Sequence, residues 1–161
     1  MVSEESVIAE ATGTGKFQVR INSGDHEFIL DEPVEYGGQA TGPNPFDLLE
    51  AALAGCTLMT LRLYAARKGW SLEGLRVHVL HRGGEADGRD RFERELVLGD
   101  VTDEQRDALL KIAERCPVHL LLDRGADVLV SVAGAPLPAA VANGLHAAGM
   151  DEACDTDGQP F

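Results

Sequence analysis

One stretch, residues 42–70 (GPNPFDLLEAALAGCTLMTLRLYAARKGW), limits what the chain can fold into more than any other. Asn44 can act as an N-cap and Pro45 fits the first helical position, where no N–H is needed. Asp47 stands three residues after the cap, where a carboxylate can reach back to it. From position 48 to 61 only Glu50, Thr57 and Thr60 are polar, so the helix has little to turn towards water and is expected to run through the core. That apolar run is shorter than a bilayer-spanning segment requires. Cys56 lies in its middle, and a thiol held inside such a helix is the first candidate for chemistry.

A chain of 161 residues suits one domain with a sizeable core. Its net charge of −13 argues against a nucleic-acid partner or an anionic membrane. The start, MVSEESVIAE, is mixed and acidic and lacks the apolar core of a secretory signal, so the expected location is cytoplasmic. An odd count of three cysteines there reads as free thiols with packing or chemical roles, not as a disulfide framework.

Residues 6–11, 17–21 and 27–30 are short β-branched or aromatic runs separated by glycine-rich turns, and are expected to form an antiparallel meander. Residues 31–43 carry Pro33, Gly37, Gly38, Gly42 and Pro43 and form a loop into the central helix. Residues 75–80 and 91–98 read as a hairpin with a long charged tip. Alternation in the second strand is weak. Thr102 and Gln105 form a capping-box pair, and Leu109, Ile112, Ala113 and Cys116 follow on one helical face. This puts Cys116 at the end of that helix, where Pro117 stops or kinks it. Residues 127–132 (DVLVSV) read as a last buried strand. Residues 1–133 form the domain, and residues 134–161 an acidic Ala/Gly/Pro-rich tail with one short helix over 139–148 and an exposed, incidental Cys154. The fold class is α+β: antiparallel sheets packed on a long central hydrophobic helix. A helix apolar on nearly every side needs more cover than one small sheet supplies, so a homodimer is expected.

Cys56 and Cys116 both sit on faces that should point into one core. A buried free cysteine is often only a small hydrophobe, and two that meet can also form a reversible two-thiol site. In an unbroken helix Cys56 is too far from the N-terminus to gain from the dipole, unless the helix breaks at Gly55. A cation would then have to activate it. At a helix C-terminus Cys116 suits a thiol that stays protonated and resolves.

The segments GPNPFDLLEAALAGC, the following TLMTLRLYAARKGW, and ERCPVHLLL (residues 114–122) resemble the osmotically inducible protein C and organic hydroperoxide resistance family, over roughly residues 6–133. The resemblance implies an intertwined homodimer with two interface sites, each built on Cys56 with Cys116 as its partner. It implies a peroxidase in oxidative-stress defence: the Cys56 thiolate attacks an organic hydroperoxide, the sulfenic acid condenses with Cys116, and a small or protein-bound dithiol of the lipoyl type reduces the disulfide. No metal or bound cofactor is needed.

Peroxidase members also pair the cysteine with an arginine from the N-terminal sheet or loop, and with a glutamate ten residues before it. Phe46 occupies the acid position, and the adjacent Asp47 is the candidate replacement beside its capping role. Lys16, Arg20, Arg62 and Arg115 are candidate cations, the last two also reading as solvated helix surface. Glu50 lies on another face of the helix from Cys56 and is expected in a structural ion pair. Phe46 favours a second reading, a non-enzymatic redox-responsive or small-ligand-binding protein. The Cys116-x-x-His119 spacing would serve half a zinc site, but no second half follows. His119 is a candidate proton carrier. A hydrolase through Cys56 and His119 is disfavoured, because Ala54, Gly55, Thr57 and Leu58 do not make a nucleophile elbow.

Overall fold

The computed structural model describes residues 7–84, 88–132 and 145–155, which fall into two compact units: one within Met1–Leu49 and Val130–Asn143, the other within Glu50–Leu129 and Gly144–Phe161. Ser6, the centre of the hairpin tip and the first part of the helix expected over 139–148 lie outside the described residues.

In the first unit β1 (Val7–Ala11), β2 (Val19–Ser23) and β3 (His26–Leu30) form the expected antiparallel meander, with Ile21 opposite both Ala9 and Phe28. The loop after β3 is tied by one buried carboxylate. Asp31 accepts the N–H groups of Glu32, Gln39 and Thr41 at 2.8, 3.1 and 3.2 Å, and the Thr41 hydroxyl at 2.7 Å. These bonds, the Thr41 hydroxyl foremost, hold its pKa below the ordinary value of 3.8 against the opposing effect of desolvation. Gly38 is required there because a Cβ would lie 1.8 Å from the Glu32 carbonyl oxygen.

Asn44 Oδ1 accepts the N–H of Phe46 at 2.8 Å and of Asp47 at 3.1 Å, and the Asp47 carboxylate accepts the Asn44 N–H at 2.8 Å. This reciprocal cap starts α1 (Pro45–Lys68), which runs 24 residues without a break at Gly55. At that length α1 is long and apolar enough to cross a membrane by length and composition, which corrects the estimate made from its apolar run alone. Leu53, Cys56, Thr57, Thr60, Leu61, Tyr64 and Ala65 are buried. Thr57 and Thr60 satisfy their hydroxyls on the Leu53 and Cys56 carbonyls, at 2.7 and 2.8 Å. Burial is one-sided within the single chain, since Ala51, Ala52, Met59, Arg62 and Ala66 on the opposite face are exposed.

In the second unit β4 (Arg76–Arg82) and β5 (Arg91–Val97) pair as a hairpin, with Val79 opposite Arg94. Alternation in β5 is regular rather than weak: Phe92, Arg94 and Leu96 are half-buried, and Arg91, Glu93 and Glu95 are exposed. Among the described residues Glu50 has no ion-pair partner; its carboxylate accepts the His81 N–H at 2.8 Å, joining α1 to β4.

The Thr102–Gln105 capping box opens α2 (Asp103–Ala113) as expected. Cys116 does not belong to that helix. It takes an extended conformation (φ −61°, ψ 139°) and N-caps α3 (Pro117–Arg124). Proline disfavours the helical region for the residue before it and fits the first position of a new helix, so Pro117 both ends one helix and starts the next.

Two further expectations change. Residues 127–132 form no strand, and Val128, Leu129, Val130 and Val132 are 82–93 % exposed. β-propensity alone does not make a strand: the segment needs an edge to pair with, and none of the described strands pairs with it. Cys154 is buried, not exposed. It lies on α4 (Leu145–Asp155), in a core with Leu61, Tyr64, Leu109, Ile112 and Ala113, and its Sγ is 3.6 Å from the Thr60 carbonyl. Arg67 of α1 holds α4 by pairing with Asp151 at 2.7 Å and with Asp155. Trp70 closes the end of α1, donating its backbone N–H to the Ala65 carbonyl at 2.8 Å and meeting Tyr64 edge-on.

Leu61 is fully buried between α1 and α2, so Leu61→Ala is expected to cost about 2–5 kcal/mol in denaturant unfolding. Because Asp31 is acidified by folding, its contribution is present above the unfolded carboxylate pKa and fades as pH falls through the lower folded value. Asp31→Asn is expected to lower the melting temperature at pH 7, with the difference from wild type narrowing in melts at progressively lower pH.

Candidate active site: two thiols and a guanidinium

Two elements bring the thiols together. Leu53, Cys56 and Cys116 form one buried cluster, packed on Val79 and Phe92 of the hairpin and on Val118 and Leu122 of α3. The first turn of α3 supplies N–H donors to both sulfurs: Val118 to Cys56 Sγ at 3.4 Å, and His119 to Cys116 Sγ at 3.4 Å. Both thiols are free and buried in the same cluster.

Their surroundings differ. Cys116, as N-cap, has the positive end of α3 at its sulfur, with the Thr57 hydroxyl at 3.6 Å and Arg94 Nη1 at 4.0 Å. Cys56 sits within the unbroken α1, where no helix end assists it. The neighbouring Cys116, followed by burial, pushes the Cys56 thiol up. The Cys116 thiol is pulled down, first by the neighbouring Cys56 and then by Thr57, the His119 N–H and the Arg94 charge, with burial opposing. Cys116 does not stand at a helix C-terminus as expected but at the N-terminus of α3, where the dipole favours a thiolate.

Arg94 was absent from the sequence-based candidates. Its Nη1 donates to Thr57 Oγ1 at 2.9 Å and to the Ala113 carbonyl at 2.8 Å, and its Nη2 lies 2.7 Å from His119 Nδ1. A guanidinium has no acceptor, so His119 Nδ1 must accept, and the imidazole is the neutral tautomer with its proton on Nε2. The available signal was an arginine in the inward register of β5, between Phe92 and Leu96. Lys16 covers the Phe17 ring, Arg20 pairs with Glu27 at 3.4 Å and Arg62 is exposed. Asp47 is committed to the α1 cap in the other compact unit, and Phe46 is exposed.

Beside the thiols lies a pocket of about 170 Å³ lined by Leu53, Phe92, Leu122, Arg89, Asp90, Arg94, His119 and Asp123. Among the described residues no group of three His, Cys, Asp or Glu side chains gathers as for a metal ion. His119, the candidate for half a zinc site, gives its Nδ1 to Arg94 instead.

An α+β chain of antiparallel sheets that places a mid-helix thiol against an N-cap thiol defines a class of buried-dithiol proteins. Residues 37–131 match the OsmC-like protein family, and the chain belongs to it. No curated protein matches the chain. Solved structures similar to it include an organic hydroperoxide resistance protein OsmC from Legionella pneumophila, with 25 % identity and a TM-score of 0.52, covering 74 % of this chain and 90 % of that one. The organic hydroperoxide resistance protein OhrB of Bacillus subtilis has 25 % identity and a TM-score of 0.51, with 71 % and 87 % covered. An OsmC-like protein from Mycoplasma pneumoniae, at 21 % identity, shares the fold with a TM-score of 0.57 over 76 % and 89 %.

The burial of Cys154 separates it from the pair chemically, since desolvation raises its pKa. In native protein a disulfide-exchange reagent is expected to react with Cys154 only at the rate of opening of the α1–α4 core. Mass mapping of the labelled cysteines during mild denaturation checks this.

Proposed function

We propose that the chain is a thiol-dependent peroxidase that reduces organic hydroperoxides through Cys56 and Cys116, acting as a cytoplasmic homodimer in defence against oxidants. The observation that carries this reading is the burial of two free thiols in one cluster, each accepting an N–H from the first turn of α3, with a guanidinium beside Cys116. Membership of the OsmC-like family and likeness to hydroperoxide resistance proteins support it.

One proton on two sulfurs suffices for the reaction. The Cys116 thiolate takes the Cys56 proton, and the Cys56 thiolate attacks the terminal peroxide oxygen. The O–O bond breaks, giving Cys56 sulfenic acid and an alkoxide, and the alkoxide takes the proton from Cys116 to leave as the alcohol. The Cys116 thiolate then attacks the Cys56 sulfur and expels hydroxide, forming the disulfide. A dithiol of the lipoyl type supplies two electrons and restores both thiols. Leu53, Phe92 and Leu122 offer an apolar wall for the organic part of the peroxide. The exposed face of α1 and the exposed apolar segment at 128–132 are surfaces that a second copy would cover.

With a dithiol reductant, wild type is expected to consume cumene hydroperoxide catalytically. Cys56→Ser should abolish this, while Cys116→Ser should still form a dimedone-trappable sulfenic acid on Cys56 without turnover. Full turnover by Cys56→Ser, or none by wild type, would overturn the reading; in the second case the non-enzymatic alternative prompted by Phe46 stands.

A further inference from the structure

We propose that Arg94 is the catalytic cation of this site, the residue that holds the negative charge of the Cys56–Cys116 pair; this rests on the peroxidase reading above. Arg94 is half-buried on the inward register of β5, and among the described residues no carboxylate pairs with it. All its hydrogen-bond partners are neutral: the Thr57 hydroxyl, the Ala113 carbonyl and His119 Nδ1. A guanidinium withdrawn from water needs an anion, and the group beside it that can become one is the thiol pair.

The hydrogen bonding fixes how the charge acts. Nη1 carries two N–H groups, both committed at 2.9 and 2.8 Å, so its approach to Cys116 Sγ at 4.0 Å is an attraction of charges, not a further hydrogen bond. By donating to Thr57 Oγ1, Arg94 leaves that hydroxyl its own proton, to place on the Leu53 carbonyl at 2.7 Å or the Cys116 sulfur at 3.6 Å. Thr57 thus carries polarisation from the guanidinium to the thiolate. Arg94 brings a cation to the pair from β5, and the Ala113 carbonyl, Thr57 and His119 orient its guanidinium.

The other ionisable groups facing this centre are Cys56 on α1, His119 and Asp123 on α3, and Arg89 and Asp90 before β5. Asp90 lies 3.4 Å from His81 Nε2, which directs it towards β4.

The test is the thiolate absorbance of reduced wild type, Arg94→Met and Arg94→Lys as a function of pH, alongside single-turnover reduction of cumene hydroperoxide. Wild type is expected to form one thiolate below the ordinary thiol range. Arg94→Met should shift that titration up by about one to three pH units. Its peroxide rate should fall about tenfold at pH 6 and recover as pH rises. Arg94→Lys, which keeps a charge, should restore much of the acidic titration and also covers the case in which Arg94→Met does not fold. A titration unchanged in Arg94→Met, with wild type active, would overturn the role of Arg94 and leave the peroxidase reading standing. A low wild-type thiolate titration that moves with Arg94, without peroxide consumption, would overturn the peroxidase reading alone.

Discussion

The junction at Cys116-Pro117 is the constraint on which the site depends. Proline bars Cys116 from helical geometry and opens the next helix, so one residue does two things: it releases a thiol from α2 and seats it on the positive end of α3. The next two backbone N–H groups after Pro117 are then shared between the two sulfurs, Val118 to Cys56 and His119 to Cys116. Without that break Cys116 would be one more apolar residue on an amphipathic helix. Its contact with Cys56 would lack the asymmetry that sorts proton from charge.

Much of the frame was legible from sequence because it depends on local signals. The Asn44–Asp47 cap, the Thr102–Gln105 capping box and the shared burial of Leu109, Ile112 and Ala113 all follow from spacing within a few residues. What was not legible depends on partners distant in sequence. Arg94 was hidden in a strand whose alternation looked weak, because its inward register holds a charge where apolar residues are the rule. Residues 127–132 have strand propensity but pair with none of the described strands. Cys154, in an acidic stretch that reads as solvated, is buried because Ala153 and Cys154 turn inward while the acids around them face Arg67 and solvent.

The tail helix also bears on the thiols. Gly149 of α4 lies so close to Pro117 that a Cβ there would come within 2.7 Å of the proline ring. α4 therefore rests against the first turn of α3, the turn that carries both sulfur-binding N–H groups. Thr60 connects the same region from the other side, its hydroxyl on the Cys56 carbonyl and its own carbonyl beside Cys154. The C-terminal helix lies beyond the stretch that matches the family, yet it braces the turn on which the chemistry depends.

The uncompensated charge of Arg94 bears on the oxidised state as well. A disulfide is neutral, so oxidation removes the anion beside the guanidinium and leaves it without a counterion in a half-buried setting. That favours the reduced pair and raises the reduction potential of the disulfide, as it does wherever a protein stabilises a thiolate more than the bond it forms. In the proposed cycle, the guanidinium that readies the pair for a peroxide would thus also make the resulting disulfide easy to open, even for a mildly reducing dithiol.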